Sequence, residues 1–279
     1  TNELIKAEKY FKKAIKINPS TELVYFYYAI FLLQKNDKNK AIIQLNISAS
    51  YDKKEVTKHQ LNTFVNTNKL NGFNVTLPHK QTILPFLKSL DDSAKKIGAV
   101  NCVYKGKGYN TDWIGFLETI KNNDLSLDDK SCVIIGAGGA ARAISYGLIK
   151  NGIKSISIKN RTMDAEQKLL EWINTLHPTN SLNDKPNIII NCTPLGMWPK
   201  INSMPDIEIN NKSTLIETVY NPLETKWLRY GKNIGAKTIS GLDMFIWQGI
   251  ASTEIWMGEK ISEKIELEKV KKVLKLELC

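Results

Sequence analysis

The sequence predicts an α/β protein in which a short α-helical hairpin precedes a small, mostly parallel sheet and a larger sheet built from β-α-β units. Three observations carry this. Apolar residues recur at helical spacing through residues 1–45. After Ile47, short apolar runs of strand length alternate with amphipathic segments. One of those strands runs straight into a Gly-Ala-Gly-Gly-Ala-Ala turn that opens a helix.

In the opening segment Ala7, Tyr10, Phe11, Ala14 and Ile17 lie on one helical face, and Pro19 stops the run. A second amphipathic stretch covers Glu22 to Gln34, ends at the polar turn Lys35-Asn36-Asp37, and a third begins near Lys40. The pattern resembles a single tetratricopeptide repeat, a helical hairpin of about 34 residues. Only one period fits where about three are needed for a solenoid, so a plain helical hairpin packed on its neighbour is an equal reading. Ser48 to Val56 reads as a strand and the following His59 to Val65 as a helix. Further strands are expected at Cys132 to Gly136, Ser155 to Lys159, Asn187 to Cys192 and Thr214 to Val219, with Ala140 to Lys150 as the crossover helix between the first two. From Met244 to Cys279 the pattern returns to helix.

A chain of 279 residues with 42% hydrophobic and 24% charged residues suits two domains with real cores. The net charge of +11 raises the question of nucleic acid, but the lysines are scattered. Stretches such as Lys35 to Lys40 and Lys264 to Lys275 interleave with acids or aliphatic residues, as solvated faces do, so no nucleic-acid partner is expected. Cys102, Cys132, Cys192 and Cys279 form no Cys-x-x-Cys pair, and His59, His79 and His177 have no metal spacing. Reduced thiols and no metal follow. The longest nearly apolar run, Val24 to Leu33, is half of what a membrane span needs, so a soluble cytoplasmic protein without a membrane partner is expected.

The strongest local signal follows the strand at Cys132. Gly136-Ala137-Gly138-Gly139-Ala140-Ala141 has the form G-x-G-x-x-A in the strand-turn-helix context that a dinucleotide fingerprint requires. Gly136 would permit the tight turn, Gly138 the approach of a pyrophosphate, and Ala141 close packing of helix on strand. This predicts a Rossmann-like domain. At the end of the second strand, where an acid would take a ribose 2′-hydroxyl, the sequence has Lys159-Asn160-Arg161-Thr162. A guanidinium pairs with a 2′-phosphate that an acid would repel, so the cofactor is read as NADP.

Ahead of this unit stand three blocks: Asn71 to Lys80 (NGFNVTLPHK), Ile97 to Asn101 (IGAVN) and Gly108 to Phe116 (GYNTDWIGF). After it come Asn160 to Thr162 (NRT), Asn191 to Met197 (NCTPLGM), Val219 to Leu228 (VYNPLETKWL) and Gly241 to Gly249 (GLDMFIWQG). In this order and spacing, residues from about 47 to 279 resemble the shikimate dehydrogenase family. The resemblance implies NADP-dependent, reversible reduction of 3-dehydroshikimate to shikimate, a step of chorismate and aromatic amino-acid biosynthesis. It implies Lys80 and Asp112 as the catalytic pair, and Asn74, Thr76, Asn101, Tyr220 and Gln248 as substrate-binding residues. For the cofactor it implies Gly136, Ala137, Gly138, Gly139, Ala140, Asn160, Arg161, Thr162, Thr193 and Gly241. The chemistry suits these types, because a developing alkoxide needs a positioned acid and a lysine can serve when a carboxylate holds it. His79 is assigned no role.

The implied organisation is residues 1–45 as the helical segment, 46–116 with 243–279 as the substrate domain, and 117–242 as the NADP-binding domain. One departure stands out. The family's opening strand and Ser-x-Ser-Pro segment, whose hydroxyls take the substrate carboxylate, have no counterpart. Ser48-Ala49-Ser50 lies too close to Asn74 and reads as an ordinary strand. Two alternatives therefore stand beside the leading one: a weakly active NADP-binding protein with a helical partner-binding segment, and a quinate/shikimate dehydrogenase. The organisation also leaves room for a homodimer and for a protein partner through residues 1–45.

Overall fold

The computed structural model describes residues 58–67, 71–178 and 186–277. The helical hairpin expected in residues 1–45 and the strand expected from Ser48 to Val56 lie outside them.

The described chain opens with α1 (Lys58–Thr67), and then builds a four-stranded sheet from β1 (Gly72–Asn74), β2 (Ser89–Leu90), β3 (Cys102–Tyr104) and β4 (Lys107–Tyr109), in the order β1-β3-β4-β2. A mostly parallel sheet was expected. Among the described residues β1 pairs with β3, and β3 with β4, antiparallel, and only β2 with β4 is parallel. The cause is local: Lys105 and Gly106, with φ of 50° and 82°, form a two-residue loop of the kind whose twist suits a hairpin. Between β2 and β3 runs α2 (Asp92–Ile97). Asp91 caps it by accepting from the amides of Ser93 and Ala94, and Gly98 ends it in the left-handed conformation.

From β4 the chain enters α3 (Asp112–Asn122) and passes to a five-stranded, all-parallel sheet of β5 (Ser131–Ile135), β6 (Ser155–Lys159), β7 (Ile188–Asn191), β8 (Thr214–Glu217) and β9 (Lys237–Ile239), ordered β6-β5-β7-β8-β9. The four strands expected from sequence are there: Ser155–Lys159 coincides, and the ends of the other three differ by at most two residues. β9 was not anticipated. The crossovers are α4 (Gly139–Lys150) and α5 (Met163–Leu176), with α6 (Lys226–Asn233) before β9.

All five residues of β5 are buried, as in a strand covered on both faces. Cys132 and Ile134 pack with Ile144, Leu148 and Ile173, whereas Val133 and Ile135 pack with Leu215, Trp227 and Leu228 on the opposite face. Strand order reverses at β5, so the C-terminal ends of β5 and β7 border the crevice where open parallel sheets bind ligands.

After β9, α7 (Leu242–Met257) returns to pack on α3, and α8 (Leu267–Glu277) covers it through Val270 and Leu274. A Cβ on Gly115 would stand 2.7 Å from the Met244 carbonyl oxygen and 2.8 Å from the Gln248 nitrogen. Glycine here lets the α3 and α7 backbones come close enough for Asp112 on one and Gln248 on the other both to reach Asn101. No helix among the described residues is long and apolar enough to cross a membrane.

Candidate active site

The Lys80 Nζ donates to Asp112 Oδ2 at 2.6 Å, with the two side chains 14% and 5% exposed. Asp112 is the first residue of α3, so its carboxylate sits at a helix N-terminus, where negative charge is favoured. Its second oxygen, Oδ1, accepts from Asn101 Nδ2 at 2.9 Å. Both carboxylate oxygens are thereby committed and the carboxylate has one orientation. Backbone bonds set the frame: Val100 N donates to Lys80 O at 2.7 Å, and Val75 N to Asn101 O at 2.8 Å.

Asn101 is buried and gathers the rest. Its Oδ1 accepts from Thr111 N at 2.6 Å, and its Nδ2 also reaches Thr111 Oγ1 at 2.9 Å and Gln248 Oε1 at 3.3 Å. Asn74 Nδ2 donates to Asn101 O at 3.0 Å and to Ser252 Oγ at 3.1 Å. Gln248 uses one amide hydrogen on Phe245 O at 2.8 Å, and the Phe245 ring stacks on Tyr220 with centroids 4.0 Å apart. Burial raises the Tyr220 phenol above its ordinary pKa. Of the residues expected at the substrate, Asn101 joins the Lys80–Asp112 pair directly, Asn74 and Gln248 join it through Asn101, and Tyr220 flanks them through Phe245. Thr76 is exposed and its side chain enters no hydrogen bond among the described residues. His79 bonds locally, its Nδ1 lying 3.2 Å from Thr82 Oγ1.

The glycine turn lies against this cluster. A Cβ on Gly139 would meet Lys80 Cβ at 2.8 Å, so the lysine stem packs on the first turn of α4. Gly136 has φ of 108°, and a Cβ there would meet Cys192 O and Thr193 Cγ2 at 3.1 Å; glycine is required both for the turn and for the approach of the β7 loop. Gly138, the N-cap of α4, has open space where a Cβ would be. These features fit a dinucleotide: the first amides of α4 point to open space, and none of the described residues fills the position of a Cβ on Gly138. Ala137 and Ala140 complete the turn without bulk. Asn160, Arg161 and Thr162 follow β6 at the start of α5, with Arg161 and Thr162 exposed, and no ion pair engages Arg161 among the described residues. The Thr162 hydroxyl caps no helix amide. Thr193 is held in an Asx-type turn, its N and Oγ1 donating to Asn191 Oδ1 at 3.0 and 2.6 Å. Gly241 lies where a Cβ would be 2.6 Å from Val219 O, so it permits α7 to start against the β8 loop.

The family models for the shikimate dehydrogenase substrate binding domain and for shikimate / quinate 5-dehydrogenase match residues 36–103 and 118–194. A shikimate dehydrogenase (NADP(+)) from Methanosphaera stadtmanae is 42% identical over 224 residues, covering 74% of this chain and 78% of the relative. The chain belongs to the shikimate dehydrogenase family. Among solved structures, a shikimate dehydrogenase in complex with NADP+ superposes with a TM-score of 0.70 at 34% identity, covering 81% of this chain and 83% of the other. Shikimate 5-dehydrogenase from Listeria monocytogenes, in complex with shikimate and NAD, gives 0.65 at 29% identity over 79% and 82% of the two chains.

Several residues that organise the site in this family member were not singled out from sequence. Thr111 and Ser252 are buried members of the polar network. Ser252 follows Gln248 by four residues on one helix, so the shared face was readable. The other omission is Glu217, which ends β8 and is 1% exposed. Asn191 Nδ2 donates to both its oxygens at 2.9 and 3.1 Å, the amides of Thr218 and Val219 donate to Oε1 at 2.9 and 3.1 Å, and Thr225 Oγ1 donates to Oε2 at 3.2 Å. An acid closing an apolar strand was the available signal. It ties the β7 loop, which carries Thr193, to the β8 loop, which carries Tyr220.

Burial pushes the Glu217 carboxyl up to about 7, while the bonds from Asn191, Val219, Thr225 and Thr218 act in the opposite direction. Between its ordinary value of 4.5 and about 7 the folded chain therefore holds a proton that the unfolded chain has lost. The stability this group lends is present below that window and is lost as pH rises through it. Melting temperatures measured across the window are expected to fall with rising pH, and Glu217→Gln is expected to remove that part of the slope. An unchanged slope in the variant would sink the assignment.

Proposed function

We propose that the chain catalyses the NADP-linked, reversible conversion of shikimate to 3-dehydroshikimate. The observation that carries this reading is the 2.6 Å Lys80–Asp112 pair packed on the first turn after the glycine loop. Bound NADPH supplies the hydride that reduces a ketone. Lys80 meets the oxygen on which negative charge develops and gives it a proton; in the oxidative direction the same nitrogen receives it. Asp112 keeps the ammonium aimed, with Asn101 fixing the carboxylate. Asn74 and Gln248 hold ring hydroxyls, and Tyr220 and Thr76 border the substrate.

NADP is favoured over NAD by Arg161 and Thr162 at the start of α5, where a guanidinium and a free hydroxyl would meet a 2′-phosphate. The relative solved with shikimate and NAD makes this a point to measure. Arg161→Ala is expected to raise KM for NADP by about ten-fold, the scale of one charge-assisted contact, and to leave KM for NAD unchanged. Equal effects on both cofactors in steady-state assays would count against a phosphate-binding role.

One sequence observation favours a second reading, cofactor binding with little turnover: no Ser-x-Ser-Pro segment precedes Asn74. Comparing kcat/KM for shikimate and quinate with each cofactor separates the readings. The leading one expects shikimate with NADP to be the preferred combination; cofactor binding with no turnover on either substrate supports the second.

A further inference from the structure

Ser252 lies on α7, fully buried, and its hydroxyl has three oxygen or nitrogen partners, with the Cys102 thiol beside it. Its Oγ stands 3.0 Å from Gln248 O, 3.1 Å from Asn74 Nδ2 and 3.0 Å from Thr111 Oγ1. A serine hydroxyl has one hydrogen to donate and two lone pairs to accept with. Gln248 O can only accept, so it takes the hydrogen. Asn74 Nδ2 can only donate, so it occupies one lone pair. The second lone pair is left for Thr111, whose hydroxyl must donate, and whose own oxygen then accepts from Asn101 Nδ2. These three partners use the hydrogen and both lone pairs of Ser252, and the directions of the three bonds follow from one another.

The consequence lies at Asn74. Its two amide hydrogens go to Asn101 O and Ser252 Oγ, so the group left for the pocket is the carbonyl oxygen. We propose that Ser252 is a positioning residue that fixes which end of the Asn74 carboxamide faces the substrate, so that Asn74 accepts a hydrogen from a substrate hydroxyl. Without the serine oxygen, one Asn74 hydrogen and the Thr111 hydroxyl lose their acceptor, and only the bond to Asn101 O is left to keep the carboxamide from turning its nitrogen inward. A substrate hydroxyl held as a donor would then meet a donor. This rests on the proposed function in taking a polyhydroxylated acid as the substrate.

Ser252→Ala is suited to the test, because alanine favours helix and removes only the oxygen. Two measurements are needed. In the isotope-labelled, ligand-free protein, the Asn74 side-chain amide, assigned by its loss in Asn74→Ala, is expected to exchange with solvent about ten-fold faster in Ser252→Ala, the scale of one hydrogen bond lost. In steady state, Ser252→Ala is expected to raise KM for shikimate by about ten-fold with KM for NADP little changed, and to lower the melting temperature by a few degrees. The same substitution made in Asn74→Ala is expected to add nothing, as for two residues acting through one contact. Ser252→Cys, which keeps the volume with a weaker acceptor, is expected to fall between.

Unchanged amide exchange overturns the proposal, as does a KM effect that persists undiminished in the Asn74→Ala background or that appears equally for NADP. Faster exchange with unchanged KM overturns it too, since the orientation would then not matter to the substrate. If the unmutated chain does not turn over shikimate, the functional reading fails, and the exchange measurement alone decides the orientation of Asn74.

Discussion

Lys80→Ala is expected to lower kcat for shikimate oxidation by about 10²–10⁴, the range in which a positioned proton-transfer group contributes, while NADP still binds. Among the described residues the Lys80 ammonium has a single ion-pair partner, Asp112, at 2.6 Å, and its stem is packed on Gly139. A lysine serving only as a surface charge would be free in solution; this one is 14% exposed, held at its tip and along its length. Its remaining hydrogens are available to an oxygen in the pocket. Removing it leaves no other cation bonded to Asp112 among the described residues to take over. Lys80→Arg keeps the charge but not the point-like ammonium, and is expected to recover little of the loss. A kcat within a factor of about two of the unmutated value in Lys80→Ala would contradict the role, since a catalytic acid is worth far more than that.

Asp112→Asn is expected to reduce kcat on the order of 10², and to add almost nothing when made in Lys80→Ala. The substitution preserves shape, and the side-chain oxygen that remains can keep the bond from Asn101. The amide nitrogen introduced then faces the lysine ammonium, donor against donor. The lysine loses its acceptor and the geometry that aims it. Because Asp112 acts through Lys80, the two losses belong to one function and do not sum. Full additivity in the double variant would mean that Asp112 has a separate task. The same variant tests fold integrity, because Asp112 opens α3 and loses a favourable charge at the helix N-terminus; that effect is worth only about 0.3–1 kcal/mol and should not abolish folding.

The parallel sheet was legible because its strands are apolar runs closed by glycine or polar turns, and burial on both faces leaves nothing else for such runs to be. Cys132 to Gly136 differs from β5 by one residue at each end. The small sheet was not legible to the same degree. Its strands are two or three residues long, too short for an alternation to register, and Lys105–Gly106 lacks the Asn-Gly signature of a tight hairpin. In the site, the motif blocks pointed to Lys80 and Asp112, which sit 32 positions apart and meet only because Val100 and Asn101 lash the two segments together. Ser252 and Thr111 escaped notice since hydroxyls on helices are ordinary, and only their shared burial reveals a network. Glu217 escaped for a different reason: an acid at a strand end looks exposed until the loops that bury it are known.

The most direct test of the account is the initial rate of NADP reduction by the full chain with shikimate, followed by the absorbance of the reduced nicotinamide. Turnover that saturates in both substrates and is lost in Lys80→Ala is expected. An unmutated chain that binds NADP and shikimate yet forms no reduced cofactor would contradict it.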